Sequence, residues 1–169
     1  VIVPIGSNAV AALDRQLSAL RALRTNGHNV EFVLVRNTSN ANAADRIDEC
    51  VSRLGDERFV VVDALDRRGA PYARNAGARR ARGQFLLFCD ADDEVDGEWL
   101  VNTVDALEHH DAVGGHLQTM DGVADRWTRP PATPGALPTF LGVPYIVTAN
   151  LGIRIAAFEA VGGYDERFS

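Results

Sequence analysis

The run Phe85-Leu86-Leu87-Phe88-Cys89 passes without a break into Asp90-Ala91-Asp92-Asp93-Glu94, and this junction limits the possible folds more than any other stretch. Five consecutive apolar residues suit a strand covered on both faces, as in a parallel sheet. The four carboxylates that follow put the C-terminal end of that strand in a polar cleft, where open α/β sheets bind ligands. Clustered carboxylates repel one another unless a cation, a hydrogen-bonding ligand or solvent neutralises them. A hard divalent ion is the simplest partner. The structural alternative is a solvated acidic turn that caps the next helix.

The segments upstream alternate in period. Val1 to Ile5 reads as a short buried strand, closed by the turn residues Gly6-Ser7-Asn8, which also predict a helix cap. Val10, Leu13, Leu17, Leu20 and Leu23 then recur at three- and four-residue steps, one apolar stripe of a helix that Asn26-Gly27 ends. Glu31 to Val35 predicts a second strand, running into the polar loop Arg36-Asn37-Thr38-Ser39-Asn40, a second candidate cleft wall. Ala44, Ile47, Val51 and Leu54 predict another helix closed by Gly55, and Phe59 to Val62 a third strand. Such alternation predicts a doubly wound α/β domain with right-handed crossovers. Pro71 marks the first turn of a further helix, rich in Ala73, Ala76, Gly77, Ala78 and Ala81, whose small side chains allow close approach to a sheet or ligand.

Downstream of the acidic run, Trp99, Leu100, Thr103, Val104 and Leu107 predict the buried side of a helix capped near Asp96 or Gly97. His109-His110 at its end could ligate a metal, but cations there also suit the helix dipole, and the structural reading is preferred. Ala112 to Leu117 and Ile146 to Ile155 read as strands. Between them, Arg129 to Pro144 holds five prolines and predicts an irregular loop that could serve as a lid. Phe158 and Val161 predict a short helix stopped by Gly162-Gly163.

Composition narrows the chemistry. The 169 residues, 46% hydrophobic and 24% charged, suit one soluble globular domain. A net charge of -6 argues against general nucleic-acid binding, which needs a basic surface. All 17 basic residues are arginine, which excludes lysine Schiff bases and a Walker A phosphate loop. Cys50 and Cys89 fall at apolar positions without C-x-x-C spacing, so two buried free thiols in a reducing, cytoplasmic setting are expected. The dinucleotide fingerprint G-x-G-x-x-G is absent after the first strand, as are G-x-S-x-G and H-E-x-x-H. The chain opens on a strand with no initiator methionine, and we expect it to be a single domain cut from a longer protein.

Several segments together resemble the family 2 inverting glycosyltransferases of the GT-A fold: Val1-Ile2-Val3-Pro4, Ala73-Arg74-Asn75-Ala76-Gly77, Leu86 to Asp93 with Trp99-Leu100, and Asn150-Leu151-Gly152-Ile153-Arg154 with Gly162 to Phe168. They occur in the family's order and spacing over essentially the whole chain. The resemblance implies a GT-A-like, Rossmann-type, mostly parallel sheet flanked by helices. It implies an enzyme that transfers a sugar from a nucleotide-diphosphate donor with inversion. The acidic run would be the Asp-x-Asp motif Asp90-Ala91-Asp92, with Mg2+ or Mn2+ as cofactor. Asp92, with Asp90, would contact the metal, while the resemblance lets Asp90 or Asp93 contact either the ribose or the metal; Pro4, Arg74, Asp90, Asp92, Asp93 and Asn150 would line the donor site. Such a metal would stabilise negative charge on the leaving diphosphate. The acceptor, whether saccharide, lipid or another molecule, is left open, as is membrane association of a longer protein at its inner face.

Each assignment has a plain counterpart. Arg74 could instead lie on a solvated face with Arg79, Arg80 and Arg82, and Asn150 could be an edge-strand asparagine without a ligand. Two departures from the family pattern fall on one side of the donor pocket. Arg36-Asn37-Thr38-Ser39 replaces the usual Asp-Asp-Gly-Ser, and Ile5-Gly6-Ser7-Asn8 replaces a Thr-Tyr-Asn-like turn. The resemblance also puts the general base, an Asp of a Glu-Asp pair, beyond Ser169, so Asp165 and Glu166 are not assigned that role and the catalytic residue is unknown. A catalytically silent binding module is the competing expectation.

Overall fold

The computed structural model describes residues 1–118 and 137–168. Alternation along the strands explains its layers. Ile2, Val33, Val35, Leu86 and Phe88 face one side of the sheet, and Val3, Ile5, Phe32, Leu34, Leu87 and Cys89 the other, all nearly inaccessible. Both faces are therefore covered, the condition under which parallel strands are stable.

The chain runs β1 (Ile2–Ile5), α1 (Leu13–Ala22), β2 (Phe32–Arg36), α2 (Ala41–Leu54), β3 (Phe59–Asp63), α3 (Ala70–Arg80), β4 (Phe85–Cys89), α4 (Trp99–Leu107) and β5 (Ala112–Gly114). It continues with β6 (Thr139–Phe140), β7 (Val143–Pro144), β8 (Asn150–Arg154) and α5 (Ile155–Ala160). The main sheet has the order β3-β2-β1-β4-β8-β5, with β8 antiparallel to both its neighbours and the β1, β2, β3 and β4 pairings parallel. This is the mostly parallel, helix-flanked sheet that the sequence predicts.

Strand order reverses between β1 and β4, which creates the crevice where doubly wound folds bind ligands. The pairing there is short: Ile2 is level with Phe88, and no further residues of β1 and β4 are paired. Pro4 lies beyond that point, paired in register with Val35 of β2, so its missing N–H leaves no gap in a ladder with β4. The paired register between the two strands stops there, before Ile5 and Asp90.

Helix α1 packs with α2 and α4 over one face, and α3 and α5 over the other. The small residues of α3 do allow close approach. A Cβ on Gly77 would stand 2.5 Å from Ile2 Cγ2 and 2.8 Å from Val35 Cγ2, so any larger residue would push the helix off the sheet. In α2, Asn40 accepts a hydrogen bond from the Ala43 N–H at the start and left-handed Gly55 (φ 57°) closes the end.

Several boundaries differ from the sequence reading. Helix α1 begins at Leu13, after one 3-10 turn (Ala9–Ala11), because Asn8 has helical dihedrals and makes no side-chain cap. Strand β5 ends at Gly114 rather than Leu117, where glycines replace packing side chains. Strand β8 starts at Asn150 rather than Ile146, because the Asn150 N–H turns back to the Val147 carbonyl. Half of the expected proline-rich lid, residues 129–136 with Pro130, Pro131 and Pro134, lies outside the described residues. Its described end is the β6–β7 hairpin, turning through Leu141 (φ 53°) and Gly142 (φ 79°). No helix among the described residues is long and apolar enough to cross a membrane.

Candidate active site

Strand β4 delivers Asp90 to the crevice, and the loop 90–95 turns there before α4 begins. Helix α3 supplies the partner. Arg74, 6% exposed, donates from Nη2 to Asp90 Oδ1 at 2.6 Å, and its guanidinium lies 5.6 Å from the centre of the Tyr164 ring. The arginine is therefore buried behind the acidic loop rather than on a solvated helix face. Its Nε and the Tyr164 hydroxyl are buried without hydrogen-bond partners among the described residues. Burial pushes the Tyr164 hydroxyl up to about 12, so it stays protonated.

The three aspartates differ in environment. Asp90 has one oxygen held by Arg74. Asp92 is exposed, and its carboxylate has no partner among the described residues. Asp93 is half-buried; desolvation first, then the charges of Asp90 and Asp92, pushes its carboxyl up to about 6. In an unfolded chain it would ionise near 4. The folded state thus retains a proton between those values, so this contribution to stability is intact below about pH 4 and is lost as pH rises through 6. Asp93→Asn is expected to raise the thermal midpoint at about pH 7.5 in the presence of chelator and to lose that advantage near pH 4. Melting curves at both pH values check this, and an equal effect at each would contradict it.

Among the described residues no group of three or more His, Cys, Asp or Glu side chains is arranged to hold a metal ion, and His109 and His110 are exposed at the end of α4. The loop offers an accessible carboxylate and a second one already restrained. That donor set is too small to cage an ion alone, but it suits a hard divalent ion held by one or two carboxylates, with phosphate oxygens and water completing the shell. Cys50 and Cys89 are free and buried, and burial drives the Cys89 thiol up to about 12, which leaves it inert.

The proposed site residues are not all in one cavity. A cleft of about 800 Å³ is walled by Asp92, Asp93, Trp99, Thr103, His116 and Asn150, between the acidic loop, α4 and the β5–β8 edge. Pro4, Arg74 and Asp90 lie outside this cleft's lining, at the β1–β4 crevice. Asn150 opens β8, an interior strand between β4 and β5 and not an edge. Its Oδ1 accepts from Trp99 Nε1 at 2.8 Å, and its Nδ2 donates to the His116 carbonyl at 3.1 Å. The amide ties two walls of the cleft together.

The loop after β2 is also engaged within the protein. Arg36 donates to Asp63 (2.5 Å) and Asp48 (2.8 Å), and these bonds raise its already high pKa. Asn37 Nδ2 donates to the carbonyls of Ala64 and Arg67, and its Oδ1 accepts from the Gly69 N–H at 2.9 Å. The replacements for the usual acidic pair thus shape the loop leading into α3. Asp165 and Glu166 are engaged as well. Asp165 pairs with Arg167 at 2.6 Å, while Glu166 accepts from Asn75 at 2.9 Å and pairs with Arg67 at 3.1 Å.

Sequence reasoning missed two residues here. Asn75 holds the segment after α5 through both Tyr164 backbone groups, the carbonyl at 2.8 Å and the N–H at 2.9 Å. Gln16 of α1 is fully buried against the acidic loop. The signal for Gln16 was present, since it falls within the stripe of Leu13, Leu17 and Leu20 as a polar residue at an apolar position.

A family model described as "Glycosyl transferase family 2" matches residues 1–162. The succinoglycan biosynthesis protein ExoO of Rhizobium meliloti is 34% identical over 120 residues, covering 68% of this chain and 32% of that protein. An uncharacterized glycosyltransferase, alr2836, of Nostoc sp. is 30% identical over 96 residues, 56% of this chain and 29% of that one. The chain therefore spans about a third or less of the curated relatives it matches. Among solved structures, mannosyltransferase PcManGT from Pyrobaculum calidifontis, in complex with GDP-Man and Mn2+, superposes with a TM-score of 0.74 at 20% identity, over 97% of this chain and 46% of that one. S. aureus TarS in complex with UDP-GlcNAc gives 0.73 at 19% identity, over 96% and 47%.

Proposed function

The chain belongs to glycosyl transferase family 2, and from that membership we propose that it forms the donor-binding, metal-assisted part of an enzyme that transfers a sugar from a nucleotide diphosphate to an acceptor with inversion. The observation that carries this reading is the exposed Asp92 carboxylate, without a partner among the described residues, beside an Asp90 already restrained by Arg74 at the point where strand order reverses. Asp92 would hold Mg2+ or Mn2+, assisted by Asp90. When bound, the ion would neutralise charge developing on the leaving diphosphate.

The chain's own residues divide the remaining work. Arg74 keeps the Asp90 carboxylate facing the crevice and adds a buried positive charge behind it. Pro4 follows the single Ile2–Phe88 pair on β1 and would border the donor at the crevice. Asn150 fixes Trp99 and the 115–116 segment, so the cleft beside Asp92 keeps its walls when the sugar enters. Asp165 and Glu166 are occupied by Arg167, Asn75 and Arg67, which supports leaving the general base to residues outside the pair. The free thiols suit a cytoplasmic setting.

Calorimetry with Mn2+ and a panel of UDP, GDP and dTDP sugars tests the proposal. We expect Mn2+-dependent binding of at least one donor. A folded protein that binds none of them would overturn the reading, and binding without turnover in a longer protein would favour a silent binding module.

A further inference from the structure

Gln16 is the most deeply buried polar side chain among the described residues, at 0% exposure. Its Nε2 donates to the Asp90 carbonyl at 3.0 Å, and its Oε1 accepts from the Val95 N–H at 3.3 Å. Those two backbone groups bracket the whole acidic loop. An amide at an apolar stripe position is unfavourable unless both its ends are bonded, and here the loop supplies both bonds. We propose that Gln16 is a positioning residue for the donor site: from α1 it sets the span of the 90–95 backbone, and so the separation at which Asp90 and Asp92 present their carboxylates. This rests on the donor-binding reading above.

The neighbouring contacts divide the restraint. Arg15 reaches the Asp92 carbonyl at 3.3 Å and Glu94 at 3.3 Å, but both side chains are about half exposed, so solvent weakens the pairing. Arg74 fixes the Asp90 carboxylate from α3. Asp90 is thus held at its carbonyl by one helix and at its carboxylate by another, whereas Asp92 is restrained only through its backbone. Loss of Gln16 would leave the exposed Arg15 as the only side-chain hydrogen bond from α1 to that backbone among the described residues.

The test compares Gln16→Met, which keeps length and apolar volume but lacks both polar groups, with Leu17→Ala. Leu17 lies on the same helix, is 1% exposed and makes no bond to the loop. Hydrogen exchange of the Ala91–Val95 amides and Mn2+ affinity, measured with Mn2+ alone and with added UDP or GDP, are the readouts. For Gln16→Met we expect loop exchange to accelerate and Mn2+ affinity to fall about tenfold, the scale of losing an outer-shell support. Leu17→Ala should lower the thermal midpoint while leaving both loop readouts near parental. Parental exchange and affinity in Gln16→Met would overturn the proposal, as would equal changes in Leu17→Ala. A parental protein that binds no Mn2+ under any of these conditions would instead overturn the donor-binding reading and the cation role built on it. In that case the exchange data still decide whether Gln16 holds the loop.

Discussion

Asp92→Ala is expected to lower Mn2+ affinity by roughly 100-fold or more, at least the upper end of the effect of losing an outer-shell support. Nucleotide-sugar affinity measured with Mn2+ should fall in parallel. The fold should be unaffected, because Asp92 is exposed, its carboxylate bonds to no described residue, and only its backbone carbonyl meets Arg15. Exposed substitutions of this kind usually change stability by less than about 0.5 kcal/mol. Burial, then the charges of Asp90 and Asp92, raises the Asp93 carboxyl, so removing Asp92 should also relieve the smaller part of that repulsion. Calorimetry paired with a melting curve separates the two effects. Unchanged Mn2+ affinity in Asp92→Ala would remove Asp92 from the site.

Arg74→Met should show the opposite pattern, a large loss of stability whether or not ligand is present. The substitution leaves Asp90 facing a buried space with no compensating charge. Breaking a buried pair by removing one partner costs about 3–5 kcal/mol, and the lower end applies here because the Asp90 side chain is 34% exposed and can recruit water. The Tyr164 ring would also lose the cation on its face, a smaller effect of about 1 kcal/mol. Urea denaturation of Arg74→Met and of the double variant Arg74→Met/Asp90→Asn checks the mechanism. The double variant should recover a good part of the loss, since the group left facing the vacated space is no longer charged. If it is as unstable as Arg74→Met, the arginine acts through packing on Tyr164 and not through Asp90.

Much of the fold is legible because its signals are local. Each of the first four strands is a short apolar run, and the first two intervening helices carry a single apolar stripe, so period alone separates them. Boundaries failed where a residue's local preference was outweighed. Asn8 has the chemistry of a helix cap, yet it adopts helical dihedrals within a 3-10 turn. Asn150 is a polar residue at a strand start, and its interior position between β4 and β5 depends on which strands pair, a fact no single segment contains.

The site divides in the same way. The sequence by itself determined that carboxylates cluster at a strand end, that small residues line the helix preceding that strand, and that every Lys-or-Arg position of this chain is arginine. These follow from residue type and spacing along one segment. Only the tertiary structure decided that Arg74 is buried against Asp90, that Asn150 spends its amide on Trp99 and His116, and that Gln16 spans the acidic loop from 74 to 79 residues away in the chain. Hydrogen bonds and ion pairs act over about 3 Å, and residues far apart in sequence reach that distance only after the sheet order is set. The chemical character of the loop is therefore written in its own residues. Which of its carboxylates is left without a partner among the described residues is fixed by the helices packed against it.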